Sequence, residues 1–282
     1  MSASLKVDSQ SQSQTLADRM KSYEAVYDAS LPESTPTILR LDGHTFSKFT
    51  AHFNKPFDPR IHDAMVATCK DLLHSYPSAT VAYTQSDEIT LVFPEGVNSF
   101  NNRVQKIASL AASLTSVRFN FHLAEAIENS ALDSTRQKQV LGIAHFDARL
   151  FTVPSVEEAL NCLLWRCRGD AVRNAVNSFA RSLFTTKELQ GKKTVEVLEM
   201  MEKQKGIVYE ESVPAWAVAG TLVKRELVMV EGLNEKTGER VSTSRTRVAA
   251  IDKGVREFSE ENLRLVTEKY WDASSLVTKT IK

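Results

Sequence analysis

The stretch ATVAYTQSDEITLVF, Ala79 to Phe93, decides the fold. Two apolar runs rich in β-branched residues flank the polar group Gln85-Ser86-Asp87-Glu88, the pattern of a β-hairpin. Upstream, TPTILRL (Thr35 to Leu41) is short, apolar and β-branched, and it stops at Asp42-Gly43. It reads as a buried strand that ends in a turn. Between the two, Asp58-Pro59 opens a helix, with Asp as the cap and Pro at the first helical position. Ile61, Met65, Cys69 and Leu72 or Leu73 follow at helical spacing, and the segment ends before Pro77. Beyond the hairpin, Phe100, Val104, Ile107, Ala111, Leu114 and Val117 predict a long amphipathic helix. A less regular stretch, Glu125 to Gln139, then leads to a strand in LGIAHFDARLFTVP, Leu141 to Pro154. The order is βαββαβ. The expected fold class is therefore α+β, a ferredoxin-like or polymerase-palm core with a helical C-terminal subdomain and hairpin.

Working outward, residues 1–15 are rich in Ser and Gln and predict a disordered tail without the apolar core of a secretory signal. A helix is expected from Ala17 to Tyr27. Residues 16–154 form the expected catalytic core, and residues 155–282 the helical subdomain with its hairpin and C-terminal tail. That second part predicts a helix from Ser155 to Phe184, opened by Ser155 and Glu158 in capping-box spacing. A second helix is expected from Thr186 to Lys203. A hairpin follows within Gly220 to Ile251, turning at Lys236-Thr237-Gly238, and then a helix and tail from Ser259 to Lys282.

The chain has 282 residues, 42% hydrophobic and 25% charged, enough for one large domain with a sizeable core. Lysine plus arginine and aspartate plus glutamate each number 35, so the net charge is zero. There is no global pull toward nucleic acid, and RNA binding would need local basic patches. The 3 cysteines give neither a disulfide framework nor zinc-site spacing. No apolar run is long enough to span a bilayer, so no membrane partner is expected. A mitochondrial presequence would carry more arginine; the cytoplasm is the expected compartment, with the mitochondrion as the alternative.

On the expected fold, Asp42 ends the first strand and Asp87 sits in the turn of the hairpin. The first strand should lie between neighbours, beside the strand that leads into the hairpin. Two carboxylates 45 positions apart would then meet at one sheet end. Paired carboxylates are a hard-oxygen site for Mg²⁺, which accepts few protein ligands and leaves positions for phosphate and water. Two such ions suit phosphoryl or nucleotidyl transfer. Gly43 allows close backbone approach and offers a carbonyl as a further ligand. The backbone N–H groups of Gly43 to Ser47 could form an anion nest for a triphosphate, and Ser86 adds a hydroxyl. Glu88 either assists this site or faces solvent.

These residues closely resemble the tRNA-His guanylyltransferase superfamily, enzymes that add nucleotides in the 3′ to 5′ direction. The resemblance rests on RLDGHTF (Arg40 to Phe46), KPFDPR (Lys55 to Arg60), AYTQSDEITLVF (Ala82 to Phe93) and HFDARLFTVPS (His145 to Ser155). It continues through LLWRCRGDAVRNAVN (Leu163 to Asn177), ELQG (Glu188 to Gly191), GTLVKRE (Gly220 to Glu226) and SRTR (Ser244 to Arg247). The resemblance implies that Asp42, the Gly43 carbonyl and Asp87 bind two Mg²⁺ ions, with Asp42 and Asp87 catalytic. It implies that Asp42, Gly43, His44, Thr45, Phe46 and Ser47, with Ser86, cradle ATP or GTP. Lys55 would meet phosphate, and Asn174 would lie near the nucleotide or the RNA end. The implied chemistry activates a tRNA 5′-monophosphate with a triphosphate, after which the 3′-hydroxyl of an incoming nucleotide attacks it. The family forms tetramers, so a homotetramer is expected.

The sequence departs from the tRNA-His-specific branch at two places. That branch carries His-Ile-Asn-Asn where this chain has Ala171-Val172-Arg173-Asn174, and an arginine where this chain has His44. Both changes, with the opening LADRMKSYE, resemble the guanylyltransferase-like branch, which repairs 5′-truncated tRNAs by templated addition. Arg166, Arg168, Arg173 and Arg181 cluster on the helical part, with Lys187, Lys192, Lys193, Arg245 and Arg247 as further candidates for RNA contact. The alternatives are guanylate addition to tRNA-His at position −1, a palm-type nucleotide cyclase, and an RNA-recognition-motif-like binding module. The last expects aromatic residues on the central strands, which are not found.

Overall fold

The computed structural model describes residues 14–131, 135–233 and 240–271. The predicted tail before Gln14, the hairpin turn at Lys236-Thr237-Gly238 and the segment after Trp271 lie outside the described residues.

A first helix, α1 (Leu16–Ala25), is capped by Thr15, whose hydroxyl accepts from the Asp18 N–H at 3.1 Å. The core follows in the predicted order: β1 (Thr37–Gly43), α2 (Pro59–Ser75), β2 (Val81–Gln85), β3 (Glu88–Phe93), α3 (Val104–Glu128) and β4 (Phe146–Thr152). Strand alternation divides the residues between two layers. Leu39, Leu41, Ala82, Ile89 and Leu91 face α2 and α3, meeting Met65, Leu72 and Phe119. Ile38, Val81 and Val92 face the opposite way, against Leu160, Leu163 and Val266. Within α3 the buried row runs Ile107, Ala111, Thr115, Phe119, Leu123, Ile127, one every four residues. Val117, expected on the buried face, is off that row and exposed.

The sheet order is β4-β1-β3-β2-β5-β6, with every pair on this path antiparallel. This corrects one expectation. β1 lies beside β3, the strand that leaves the hairpin, not beside β2, which enters it. The crossover through α2 sets β2 one place away from β1, and β3 folds back into the gap. Asp42 therefore sits opposite Glu88 on one side and Asp147 on the other. Asp42 and Gly43 also belong to the strand itself and not to a turn after it.

The long helix expected from Ser155 to Phe184 is two helices, α4 (Val156–Trp165) and α5 (Ala171–Leu183), joined by a π-helical turn at Arg166–Asp170. Such turns mark strain or function inside helices. The helix expected from Thr186 to Lys203 is also divided. A single turn at Thr186–Leu189, capped reciprocally by Thr185 and Glu188, is followed by α6 (Thr194–Lys205). Between them Gly191 adopts φ 74°, a left-handed conformation that stops a helix.

β5 (Thr221–Leu233) and β6 (Arg240–Ile251) form the predicted hairpin, but it continues the palm sheet rather than standing with the helices. After α7 (Glu260–Thr267), the short β7 (Tyr270–Trp271) pairs parallel with β5. The reason lies in two buried cations of GTLVKRE that point to opposite faces. Lys224 donates to the carbonyls of Thr80 at 3.2 Å, Leu265 at 2.8 Å and Glu268. Arg225 donates to the carbonyls of Ala79 at 2.6 Å, Tyr76 at 3.3 Å and Leu73. Each side chain closes the C-terminal end of a helix, α7 for Lys224 and α2 for Arg225, where carbonyls lack intrahelical partners. No helix among the described residues is long and apolar enough to cross a membrane.

Candidate active site

Asp42 and Asp87 do converge. The Gly43 N–H donates to the Asp87 carbonyl at 3.0 Å, which pins the hairpin turn to the end of β1. A Cβ placed on Gly43 would lie 2.9 Å from the Asp87 Cβ and would also run into the Phe46 ring, so glycine is required by close approach. Ser86 takes φ 55° in the turn, and its hydroxyl donates to Asp87 Oδ1 at 3.0 Å. Burial pushes the Asp87 carboxyl above its ordinary range, the Asp42 charge adds to the shift, and the Ser86 hydrogen bond opposes it. The two acids thus share one electrostatic field.

Two adjoining clefts open there. Asp42, Asp87, Glu88 and Arg166 line the first, and Lys55, Phe57, His62 and Trp216 line the second. Ser86, Gln85 and Asn174 belong to both. The structure thus brings Asn174 to the carboxylate pair and sets Lys55 in the adjoining cleft. Lys55 is exposed, and its ammonium donates to the Thr50 hydroxyl at 3.2 Å. Partial desolvation lowers its pKa.

The nest is narrower than the sequence suggested. The Gly43 N–H is used by Asp87, and the His44 N–H donates to the His145 carbonyl at 2.9 Å. Thr45, at φ 50°, opens a one-turn helix over Phe46–Phe49. The amides of Thr45, Phe46 and Ser47 stand at its N-terminal end, where first-turn N–H groups lack intrahelical acceptors. The Phe46 side chain is core: its ring lies 4.9, 5.4 and 5.6 Å from those of Phe49, Phe119 and Phe146. His44 and Ser47 are exposed, and the His44 ring lies 4.9 Å from that of His145.

A family model described as tRNAHis guanylyltransferase matches residues 17–154. An uncharacterised protein of Acanthamoeba polyphaga mimivirus is 31% identical over 277 residues, covering 93% of this chain and 92% of that protein. The tRNA(His) guanylyltransferase of Neurospora crassa is 27% identical over 270 residues, covering 87% of this chain and 89% of that protein. Among solved structures, a bacterial tRNA(His) guanylyltransferase-like protein in complex with ATP superposes with a TM-score of 0.70 at 28% identity, covering 90% of this chain and 100% of that chain. The chain belongs to the tRNA-His guanylyltransferase superfamily of nucleotidyltransferases.

Superfamily membership raises the question of whether these residues suit Mg²⁺. Among the described residues there is no cluster of three or more His, Cys, Asp or Glu side chains able to hold a metal. A pair of carboxylates with a neighbouring carbonyl suits Mg²⁺ nonetheless, because that ion keeps waters and substrate phosphates in its shell. The raised Asp87 carboxyl fits this reading, since a cation beside the two half-buried acids would favour their ionised forms.

Several site residues escaped the sequence reading. His62 stacks on Trp216 at 4.3 Å with the rings 8° apart, forming one wall of the second cleft. Burial holds the His62 imidazole below its ordinary pKa, against the pull of Asp252. Nothing in the local sequence joins a histidine in the first turn of α2 to a tryptophan more than 150 positions away. KPFDPR proves largely architectural. Asp58 caps α2 and pairs with Arg60 at 2.6 Å, both nearly fully buried. Burial works against the Asp58 charge, yet the hydrogen bonds from Arg60 and Asn54 keep its carboxyl below the usual range. Arg166, expected on an RNA-facing surface, is instead turned inward: its guanidinium pairs with Glu88 at 2.5 Å. Arg168, Arg173 and Arg181 remain exposed, as do Lys187, Lys192, Lys193, Arg245 and Arg247.

Proposed function

We propose that this chain is a template-dependent 3′–5′ nucleotidyltransferase that adds nucleotides to tRNA 5′ ends, using nucleoside triphosphates and Mg²⁺, with residues 16–154 as its catalytic palm. The observation that carries the reading is the meeting of Asp42 and Asp87 at one sheet end, in a cleft that also holds Asn174 and adjoins the one lined by Lys55. The ATP complex of the bacterial relative supports a nucleotide as ligand. Departures at His44 and Ala171 to Asn174 favour repair of 5′-truncated tRNAs.

In this reading Asp42, Asp87 and the Gly43 carbonyl hold Mg²⁺. When bound, Mg²⁺ supplies charge neutralisation of the phosphates and orientation of the attacking and leaving oxygens. The protein's own groups position the reactants. The amides of Thr45, Phe46 and Ser47, with the Ser86 hydroxyl, receive triphosphate oxygens. Lys55 adds a cation at the adjoining cleft. The wall of His62 and Trp216 confines the base, and Asn174 holds the junction of the two clefts. The 5′-monophosphate attacks the α-phosphate of one triphosphate and releases pyrophosphate. The 3′-hydroxyl of the incoming nucleotide then attacks the activated 5′-phosphate and releases the nucleoside monophosphate, with pairing to the opposite strand selecting the nucleotide. The exposed Arg168, Arg173 and Arg181 offer phosphate contacts, which makes RNA binding fall as salt rises.

The test is addition to a panel of tRNAs lacking the first 5′ nucleotide, beside full-length tRNA-His, with Mg²⁺ present. Losing several kcal/mol of charge stabilisation should cost Asp42→Ala and Asp87→Ala about a hundredfold or more in rate while both remain folded. Substantial activity in either variant would sink the proposal. Preference for guanylate addition to full-length tRNA-His would instead assign the activity named for the Neurospora relative.

A further inference from the structure

Glu88 follows Asp87 directly and lies opposite Asp42 in the sheet, so it is placed to be a third acidic ligand. Its side chain does something else. Oε2 accepts from Arg166 Nη2 at 2.5 Å, with both side chains mostly buried. The Arg166 guanidinium carbon lies 4.6 Å from the Trp165 ring centre. Arg166 is also the first residue of the π-helical turn that breaks α4 from α5, and it lines the carboxylate cleft with Asn174, the fourth residue of α5. A helix displaced by that turn must be anchored somewhere, and the ion pair anchors it to the strand that carries Glu88.

We propose that Glu88 is a positioning residue: it holds Arg166 and the π-helical turn against β3, and so sets Arg166 and Asn174 across the cleft from Asp42 and Asp87, instead of binding metal itself. The inference rests on the cleft being the reaction site. Arg166 meets the phosphate groups of nucleotide or RNA from the side opposite the carboxylates, as a guanidinium with a fixed plane. Removing Glu88 takes away one of the contacts that set that plane, and small misplacements of a reacting assembly are costly.

The experiment is a double-mutant cycle with Glu88→Gln and Arg166→Gln, with Glu88→Ala for comparison, in the full chain. Thermal unfolding shows that each variant is folded. Binding of Mn²⁺ alone, followed by its paramagnetic resonance, provides a readout apart from turnover. Glu88→Gln keeps an oxygen acceptor and should retain several times the kcat of Glu88→Ala, with Mn²⁺ bound as tightly as by the unaltered protein. Each glutamine variant should lose about tenfold in kcat with less change in KM, and the double variant should be no worse than the poorer single, the mark of one shared contact. Multiplying losses, or weakened Mn²⁺ binding in Glu88→Gln, would overturn the proposal. The reading of the cleft is judged separately: it fails if Asp42→Ala and Asp87→Ala stay active, whatever the cycle shows.

Discussion

Replacing Gly43 by alanine is the most direct probe of how the site is built. The added Cβ would sit 2.9 Å from the Asp87 Cβ. Non-bonded carbons prefer roughly 3.5–4.0 Å, so about 0.6–1.1 Å of movement is needed. Phe46, which the new methyl would also strike, cannot give way easily. Its ring is enclosed by Phe49, Phe119 and Phe146 in the main core. The strain must therefore be shared between the core and the Asp87 turn. Overpacking of this kind costs about 1–3 kcal/mol. At about 2–4 °C per kcal/mol for a domain of this size class, Tm should fall by about 2–12 °C. Activity should fall further than stability, because a displacement of about 1 Å at a reacting centre can cost about a hundredfold. Scanning fluorimetry and nucleotide addition at a temperature where the variant is folded measure the two effects. Gly169→Ala is the control, since its Cβ would meet only Trp165, at 3.8 Å. A Gly43→Ala enzyme within about twofold of normal activity, with Tm unchanged, would show that strand end and hairpin turn do not touch, and the catalytic reasoning would fall with it.

Asp87→Asn should abolish addition yet raise the Tm of the metal-free protein at neutral pH. Because burial raises the folded-state pKa of Asp87, its unfavourable charge grows as pH rises through that pKa, and the asparagine variant should lose its advantage at acid pH. A lower Tm for Asp87→Asn at neutral pH in chelator would refute this. Lys224→Met leaves the carbonyls of Thr80, Leu265 and Glu268 without their donor and should cost about 2–3 kcal/mol in denaturant unfolding. Burial pushes Lys224 down to about 7, so from there to its unfolded value of 10.5 the unfolded chain holds a proton that the folded chain has released. Stability of the normal protein relative to Lys224→Met should therefore rise with pH across that window, and a flat difference would count against the assignment.

Much of the palm was legible because its signals are local. The alternation in Ala79 to Phe93, the Asp58-Pro59 helix start and the order of elements depend on neighbours a few residues apart, and each appears where the pattern puts it. Asp42 and Asp87 were legible as candidates for the same reason: acids at a strand end and in a turn are visible in the chain. Long-range register was not. That β1 pairs with β3, that the β5–β6 hairpin extends the sheet, and that Arg225 closes the end of α2 depend on contacts between segments more than a hundred positions apart or on which gap a returning strand fills. The split of the Ser155 helix carried only Gly169 as a local signal, and the anchor for the π-helical turn is Glu88, 78 positions earlier.

The amino-acid sequence alone thus determined the order of strands and helices in the core, and that two acids stand ready, one at a strand end and one in a hairpin turn. Only the tertiary structure decided that Gly43 locks those acids together, that Arg166 turns inward to Glu88, and that His62 and Trp216 wall the same cleft. Periodicity and turn chemistry are properties of short segments, whereas a site is made when loop closure and side-chain packing select one register among many.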